Sequence, residues 1–419
     1  MPRSTRSQEP SSACPLAALS RSFQLGNEEL EAIYACARAS GSVAYLEDID
    51  FWAVTKHRDV KSILGDTARF SAEITLDPVA PFAPEVIEHF EQTGFSPRPT
   101  LSNNTSPRHP AIRKNAQIAF SPRRLAKIEP RIRKLVDDAI DGFIDDGRAD
   151  LVAQMVYELP ALVLFILMGI PDEDVGNVKR WADNRLLMTF GRLSPAEQLE
   201  AARELSSYWQ YCLELVQKKR REPGDDLPTD MLALLDEDDV DITIEDINNV
   251  VFGLLLAGHE TTTNASANAI HVLLQNRDAW ESLVDDPALI PAAVEETLRF
   301  RPSVIAWRRK TREPVQIDGV EVPEGARLLL FIASANRDEA VFEMPERFDI
   351  EREDARAHIA FGFGQHFCLG APLARLELGI ILERLTERLP ALRLAPDNRF
   401  EAIETIQFRG PKELLVEWD

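Results

Sequence analysis

Four cysteines in 419 residues, Cys14, Cys36, Cys212 and Cys368, are too few and too scattered for a disulfide framework. None forms a CxxC pair, which excludes a zinc ribbon and leaves a reducing, cytoplasmic setting as the expectation. Long hydrophobic runs are missing as well. A membrane span needs roughly 20 predominantly apolar residues, and the most apolar segments, 159–171 and 247–259, read as the middles of buried helices. No membrane association is expected. The first 20 residues have no apolar core, so they are not a secretory signal. Residues 1–24 are expected to form a flexible leader and 25–419 one domain. Positive charge is scarce too: 47 Lys and Arg stand against 69 Asp and Glu, a net −22 that argues against a nucleic-acid partner.

What is present is the composition of a folded globular protein, 45% hydrophobic and 28% charged. Residues 43–54 predict a small hairpin, and 59–64 begin a helical pattern. From 71 to 106 the chain is Pro-rich and irregular, and a loop of that length is usually functional. Helical periodicity runs from 111 to 235, with breaks expected at Pro122, Pro130, Pro171 and 223–226. Thr243 followed by Asp246 resembles a capping box. The apolar pattern beyond it continues to about Asn276, one helix of roughly 50 Å that must cross the core. A further helix ends at Arg299. Short strands are expected at 315–322, turning at Asp318-Gly319, and at 327–333, followed by a last helix over about 373–389. The fold class is mainly α with a minor β portion, in a single large domain.

The most informative segment is Phe361-Gly362-Phe363-Gly364-Gln365-His366-Phe367-Cys368-Leu369-Gly370. Glycines let a backbone turn tightly and aim N–H groups at a sulfur, and a helix beginning just after Cys368 favours a thiolate through its positive end. The segment resembles the haem-binding loop of the cytochrome P450 family, F-G-x-G-x-H-x-C-x-G, with every specified position filled. The resemblance implies that Cys368 is the axial thiolate ligand of a haem b iron, with Phe361, Gly362 and Gly370 shaping its loop. It extends to Glu296-Thr297-Leu298-Arg299, which looks like the family's ExxR tetrad. Arg347, in Pro345-Glu346-Arg347-Phe348, is then expected to complete a buried charge triad with Glu296 and Arg299.

Ala257-Gly258-His259-Glu260-Thr261-Thr262 is similar to the family's oxygen-activation sequence. A zinc-protease HExxH reading fails because position 263 is Thr. Gly258, beside Ala257, allows close approach to a haem plane, and Thr261 can bend the helix by bonding back to a carbonyl. An acid and a hydroxyl side by side suit proton delivery, so Glu260 and Thr261 are the candidate catalytic residues. The match also places His109, Arg113 and His366 toward the haem propionates, and favours Arg309 over Arg308 for the same task. Pocket walls are expected from the 71–106 loop, Leu256-Ala257, Val304-Ile305 and Thr405-Ile406. The role of His358 stays open between structural and haem-related.

Several stretches, including Phe51-Trp52-Ala53-Val54-Thr55 and Phe408-Arg409-Gly410-Pro411, look closest to bacterial members whose haem domain is often fused to a reductase. This chain carries no Gly-rich dinucleotide fingerprint and no iron–sulfur cysteine set, so a separate ferredoxin and NAD(P)H-dependent reductase are expected. The activity implied is a monooxygenase that uses O2 and two electrons to hydroxylate or O- or N-dealkylate a small aromatic or hydrophobic molecule. The alternatives are a peroxide-driven haem peroxygenase and a non-catalytic haem-binding or gas-sensing protein. Finally, residues 108–134 hold nine Lys and Arg against Glu129 alone. This local reversal is expected to mark the face where an acidic electron donor docks.

Overall fold

Two helices in line, Ile244–Ala257 and His259–Gln275, cross the centre of the molecule. The structure, a computed structural model, describes residues 15–79, 81–191, 193–237 and 240–419. The first helix starts where the sequence signals it. The Thr243 N–H donates to Asp246 Oδ2 at 2.8 Å, and the Asp246 N–H donates to Thr243 Oγ1 at 3.3 Å, a reciprocal cap. The expected continuous helix is instead interrupted at Gly258 (φ −91°, ψ −13°). Thr261 supplies the cause: its hydroxyl donates to the Ala257 carbonyl at 3.0 Å, and such back-bonding bends helices.

Buried helices pack around this pair. The segment 159–171 folds as Leu159–Met168, almost wholly buried and closed by Gly169 at φ +62°. The last helix, Ala371–Arg388, lies against Pro122–Asp141, Ile290–Phe300 and His259–Gln275. Pro130 does not break Pro122–Asp141 as expected. It sits on the exposed side, where water can satisfy the carbonyl that the missing N–H leaves unpaired. The 71–106 stretch is likewise less irregular than expected, since it contains the helix Pro84–Thr93.

The β portion forms a wall beside the helices. A five-stranded sheet runs in the order Val43–Leu46, Phe51–Val54, Arg327–Leu330, Trp307–Thr311, Phe70–Ser71. The expected strand 327–333 stops at Leu330, and Ile332–Ala335 turns helical. The hairpin Val315–Ile317/Val320–Val322 turns at Asp318 (φ 47°) and Gly319 (φ 79°), as the Asp-Gly pair predicts. A third sheet joins Arg148–Asp150, Leu415–Glu417 and Arg393–Leu394. Of the expected leader, residues 1–14 lie outside the described residues. Pro15–Gln24 forms a 3-10 helix, and Leu19 is fully buried in a core cluster with Leu30, Tyr34 and Phe331.

Beneath the centre, Glu296 and Arg299 pair in a completely buried bidentate contact at 2.7 and 2.8 Å. Arg299 also donates to the carbonyls of Asn336 and Pro345, each at 3.0 Å. The third member of this triad is not Arg347, whose side chain is 63% exposed and reaches Asp349 at 3.5 Å. Arg352 fills the place: its side chain is 7% exposed and its Nε meets Glu296 Oε1 at 3.3 Å. Met344 takes a left-handed conformation (φ 44°), and Arg347 offers the buried network its carbonyl rather than its side chain.

Candidate active site

The cysteine loop is shaped by two left-handed glycines, Gly362 (φ 73°) and Gly364 (φ 72°). At Gly364 a Cβ would stand 2.9 Å from the Gly65 Cα and 3.0 Å from the Leu64 carbonyl, so this turn also needs the space. Gly370 has an ordinary φ (−81°). The loop closes where the Cys368 N–H donates to the Phe361 carbonyl at 2.8 Å. Cys368, a free thiol, lines an internal cavity. Burial raises its pKa, while the N–H groups of Gly370 and Ala371 and the charges of Arg113 and Arg375 pull it down.

Arg113, Arg309 and His366 line the same cavity. Arg113 donates to the Phe367 carbonyl at 2.5 Å. Arg309 is buried, which lowers its pKa to about 10, and its Nε has no partner. Arg308 turns to the other side of its strand, donates to the Asp77 carbonyl at 2.7 Å and covers the Phe190 ring. Alternation along a strand sends neighbours to opposite faces, and that separates the two arginines. His109 does not reach the cavity wall. Its Nε2 donates to the Leu101 carbonyl at 2.9 Å, while its Nδ1 accepts from Gln365 at 2.9 Å. The same Leu101 carbonyl accepts from His366 Nδ1 at 3.0 Å, which brings the two rings together at a tilt of 37° with centroids 4.5 Å apart. His358 is structural: its Nδ1 accepts from the Ala360 N–H and its Nε2 faces Glu295 at 3.1 Å.

On the central helices, Ala257, Gly258, Thr261, Thr262 and Ala265 form a wall of small side chains. Glu260 is half-buried and is not part of that wall. Burial raises its pKa, and a hydrogen bond from Asn264 Nδ2 at 2.9 Å opposes the rise. Of the expected pocket residues, Ala257 and Val304 line the cavity. Ile305 instead points into a core cluster beside Phe51 and Phe331. Thr405 spends its hydroxyl on its own turn, bonding the Phe408 N–H and carbonyl, and Ile406 packs against the same core. The side chain of Leu256 lies outside the described residues. The 71–106 segment contributes Thr100, Leu101 and Ser102.

Sequence reasoning missed Leu64, Gln365, Gly253 and Trp307, whose roles depend on distant neighbours. It also missed Glu377, a buried carboxyl in the cavity wall with an unpartnered Oε2. Its signal was available as the one charged residue in the otherwise apolar run 376–382.

These lining residues fit a haem. A soft sulfur donor, two guanidiniums (one with an unpartnered buried Nε) and a wall of small side chains suit an iron, two propionates and a flat ring. A cysteine-lined cavity crossed by a broken helix bearing Glu-Thr defines the class of haem-thiolate enzymes. The family model for cytochrome P450 matches residues 80–286 and 281–392. Cytochrome P450 107B1 from Saccharopolyspora erythraea is 38% identical over 377 residues, covering 88% of this chain and 89% of the relative. Among solved structures, cytochrome P450 CREJ in complex with (4-ethylphenyl) dihydrogen phosphate has a TM-score of 0.89 at 39% identity, covering 92% of this chain and 96% of that one. An intact type IV self-sufficient cytochrome P450 monooxygenase has a TM-score of 0.90 at 37% identity, covering 94% of this chain and 52% of that one. The chain belongs to the cytochrome P450 family and is an oxidoreductase of the monooxygenase type. Family members bind haem through a cysteine thiolate. Among the described residues no helix is long and apolar enough to cross a membrane.

Proposed function

We propose that the domain spanning 25–419 binds haem b through Cys368 and inserts one oxygen atom of O2 into a small, neutral, apolar substrate. When bound, the haem supplies oxygen activation, and the protein sets its ligand, polarity and access. Cys368 would hold the iron, with the Gly370 and Ala371 N–H groups and Arg113 moderating the thiolate's charge. Arg309 and Arg113 would pair with the propionates, His366 lines the same cavity, and His109 shares the Leu101 carbonyl with His366 from behind the wall. Thr261, bonded to Ala257 at the helix break, presents a hydroxyl to the cavity, and Glu260 one residue earlier holds and passes the protons. This acid–hydroxyl pair favours O2 with two electrons over a peroxide-driven reaction.

The observation that carries the reading is the shared lining: one cavity takes in Cys368, the Arg113 and Arg309 cations and Thr261. The lining also bears on the substrate. Val250, Leu254, Ala257, Val304 and Trp307 are apolar, and Thr100 and Ser102 add only hydroxyls. Among the described residues its Lys and Arg side chains are Arg113 and Arg309 alone, both assigned to propionates. A neutral alkyl or alkoxy aromatic, hydroxylated or dealkylated, therefore suits the walls better than a phosphate ester such as the one bound by the CREJ enzyme. Electrons come from a separate ferredoxin and NAD(P)H-dependent reductase. A reducing, cytoplasmic setting, which keeps Cys36, Cys212 and Cys368 as thiols, goes with this reading.

The test is optical. The reduced, carbon monoxide-bound protein should show the long-wavelength Soret band of thiolate ligation, lost in Cys368→Ser. The ferric protein should then change from low to high spin with 4-ethylanisole and not with 4-ethylphenyl phosphate. A thiolate band retained in Cys368→Ser would overturn the ligand assignment, and a response to the phosphate alone would overturn the substrate class.

A further inference from the structure

Glu260, Asn264 and Asn268 recur every fourth residue on His259–Gln275, which places them in one row along the helix. Asn268 Nδ2 donates to the carbonyls of Arg409, at 2.9 Å, and Arg301, at 3.3 Å, and so pins the segment around residue 409 to the helix. One turn nearer the cavity, Asn264 lies directly against Gly410. A Cβ at position 410 would come within 2.6 Å of the Asn264 Cγ and 2.8 Å of its Cβ. The second contact matters most, because rotating the amide away would not relieve it. Any side chain at 410 must move either the segment or the helix.

The amide placed this way is buried, and its Nδ2 donates to Glu260 Oε1 at 2.9 Å. Asp183 and Lys179, on the helix Val175–Phe190, are the other charges that act on Glu260. His259 faces the same Asp183 at 3.6 Å, and its Nε2 donates to the Tyr157 carbonyl at 3.0 Å. None of these gives the Glu260 carboxyl a direct hydrogen bond, so Asn264 alone, among the described residues, fixes its orientation.

We propose that Asn264 is a positioning residue for Glu260, and that Gly410 is the clearance that sets the Asn264 amide. The Phe408-Arg409-Gly410-Pro411 segment thereby tunes proton delivery from outside the cavity wall. The inference rests on the reading of Glu260 as the proton-handling group. Through this contact the carboxyl is held beside the wall, and loss of the amide leaves it free to rotate.

Two readouts on the haem-loaded protein test this. One is product formed per electron pair consumed. The other is the infrared titration of the Glu260 carboxyl in the ferrous carbon monoxide complex, isolated by subtraction of the Glu260→Gln spectrum. Asn264→Ala and Gly410→Ala should both keep the thiolate Soret band, lose coupling about fivefold, since a positioned acid typically contributes far more than that, and shift the Glu260 midpoint upward. The double variant should be no worse coupled than Asn264→Ala. An unmoved infrared midpoint in Asn264→Ala overturns the inference, and additive losses in the double variant overturn the part assigned to Gly410. If Glu260→Gln itself leaves coupling unchanged, the proton-handling reading fails, while the infrared shift still decides whether Asn264 positions the carboxyl.

Discussion

Glu377 is the residue whose environment is hardest to reconcile with its charge. It lies on Ala371–Arg388 with 2% exposure, no cation contacts it among the described residues, and burial raises its pKa well above the ordinary glutamate range. Burial therefore favours the neutral acid in the fold, whereas in the unfolded chain the same group ionises at its ordinary value. The folded state then binds more protons, so stability falls as pH rises from the ordinary glutamate value through the raised one. Replacing Glu377 by Gln keeps the shape and removes the titration. The advantage of Glu377→Gln over the parent should grow by up to about 1.4 kcal/mol per pH unit across that window. Denaturant midpoints of the haem-loaded protein at pH 5 and pH 8 measure it. A difference between the two proteins that is the same at both values would mean that Glu377 is ionised in the fold.

At the scale of elements, the buried charge network joins Ile290–Phe300 to the irregular segment before the cysteine loop. Removing one partner of a buried ion pair leaves the other charge unpaired, which typically costs about 3–5 kcal/mol. Arg352→Ala should therefore lower the unfolding midpoint strongly, and Arg347→Ala should change stability by no more than about 0.5 kcal/mol, as for an exposed site. Equal effects would return Arg347 to the triad. This pair also marks the limit of what the chain's order discloses. Thr243 with Asp246, and Asp318 with Gly319, act within four residues, and the sequence states their geometry outright. Cys368 and Arg309 were expected from the family resemblance, and the fold brings both to the lining of one cavity. Arg352 was not, since the choice between two arginines five residues apart depends on how the chain turns at Met344. Ile305 and Thr405 were hidden for the same reason, since each depends on a neighbour or bond the pattern does not contain, whereas Thr261 signalled its back-bond but not that the helix would be interrupted at Gly258.

For the whole molecule the question is where a chain of net −22 would receive the acidic electron donor proposed above. The nine cations of 108–134 look like a solution, yet most of them are already paired. Arg108 meets Asp241 and Asp246, Arg124 and Lys127 meet Asp225, Arg133 meets Glu383, and Lys134 meets Asp138. Those acids come mostly from remote parts of the chain, which is why local counting overstated the patch. Arg113 is turned toward the cavity. Among the described residues Lys114, Arg123 and Arg131 keep no acidic partner. Close to the cysteine loop, Phe363 and Phe367 are 42% and 38% exposed, and Lys61 lies 4.9 Å from the Phe363 ring centre. A small apolar centre with a few free cations is suited to a transient acidic partner, attracted at long range and released quickly. Lys61→Glu and Lys114→Glu should each slow reduction by a plant-type ferredoxin at low ionic strength, by about tenfold when combined. The difference should shrink as salt rises toward a Debye length of about 3 Å at 1 M. Arg108→Glu and Arg133→Glu should instead act on stability, because they break pairs that the fold already uses. Stopped-flow reduction across a salt series separates the two groups, and an equal slowing by all four variants would move the docking face from the free cations to the whole basic segment.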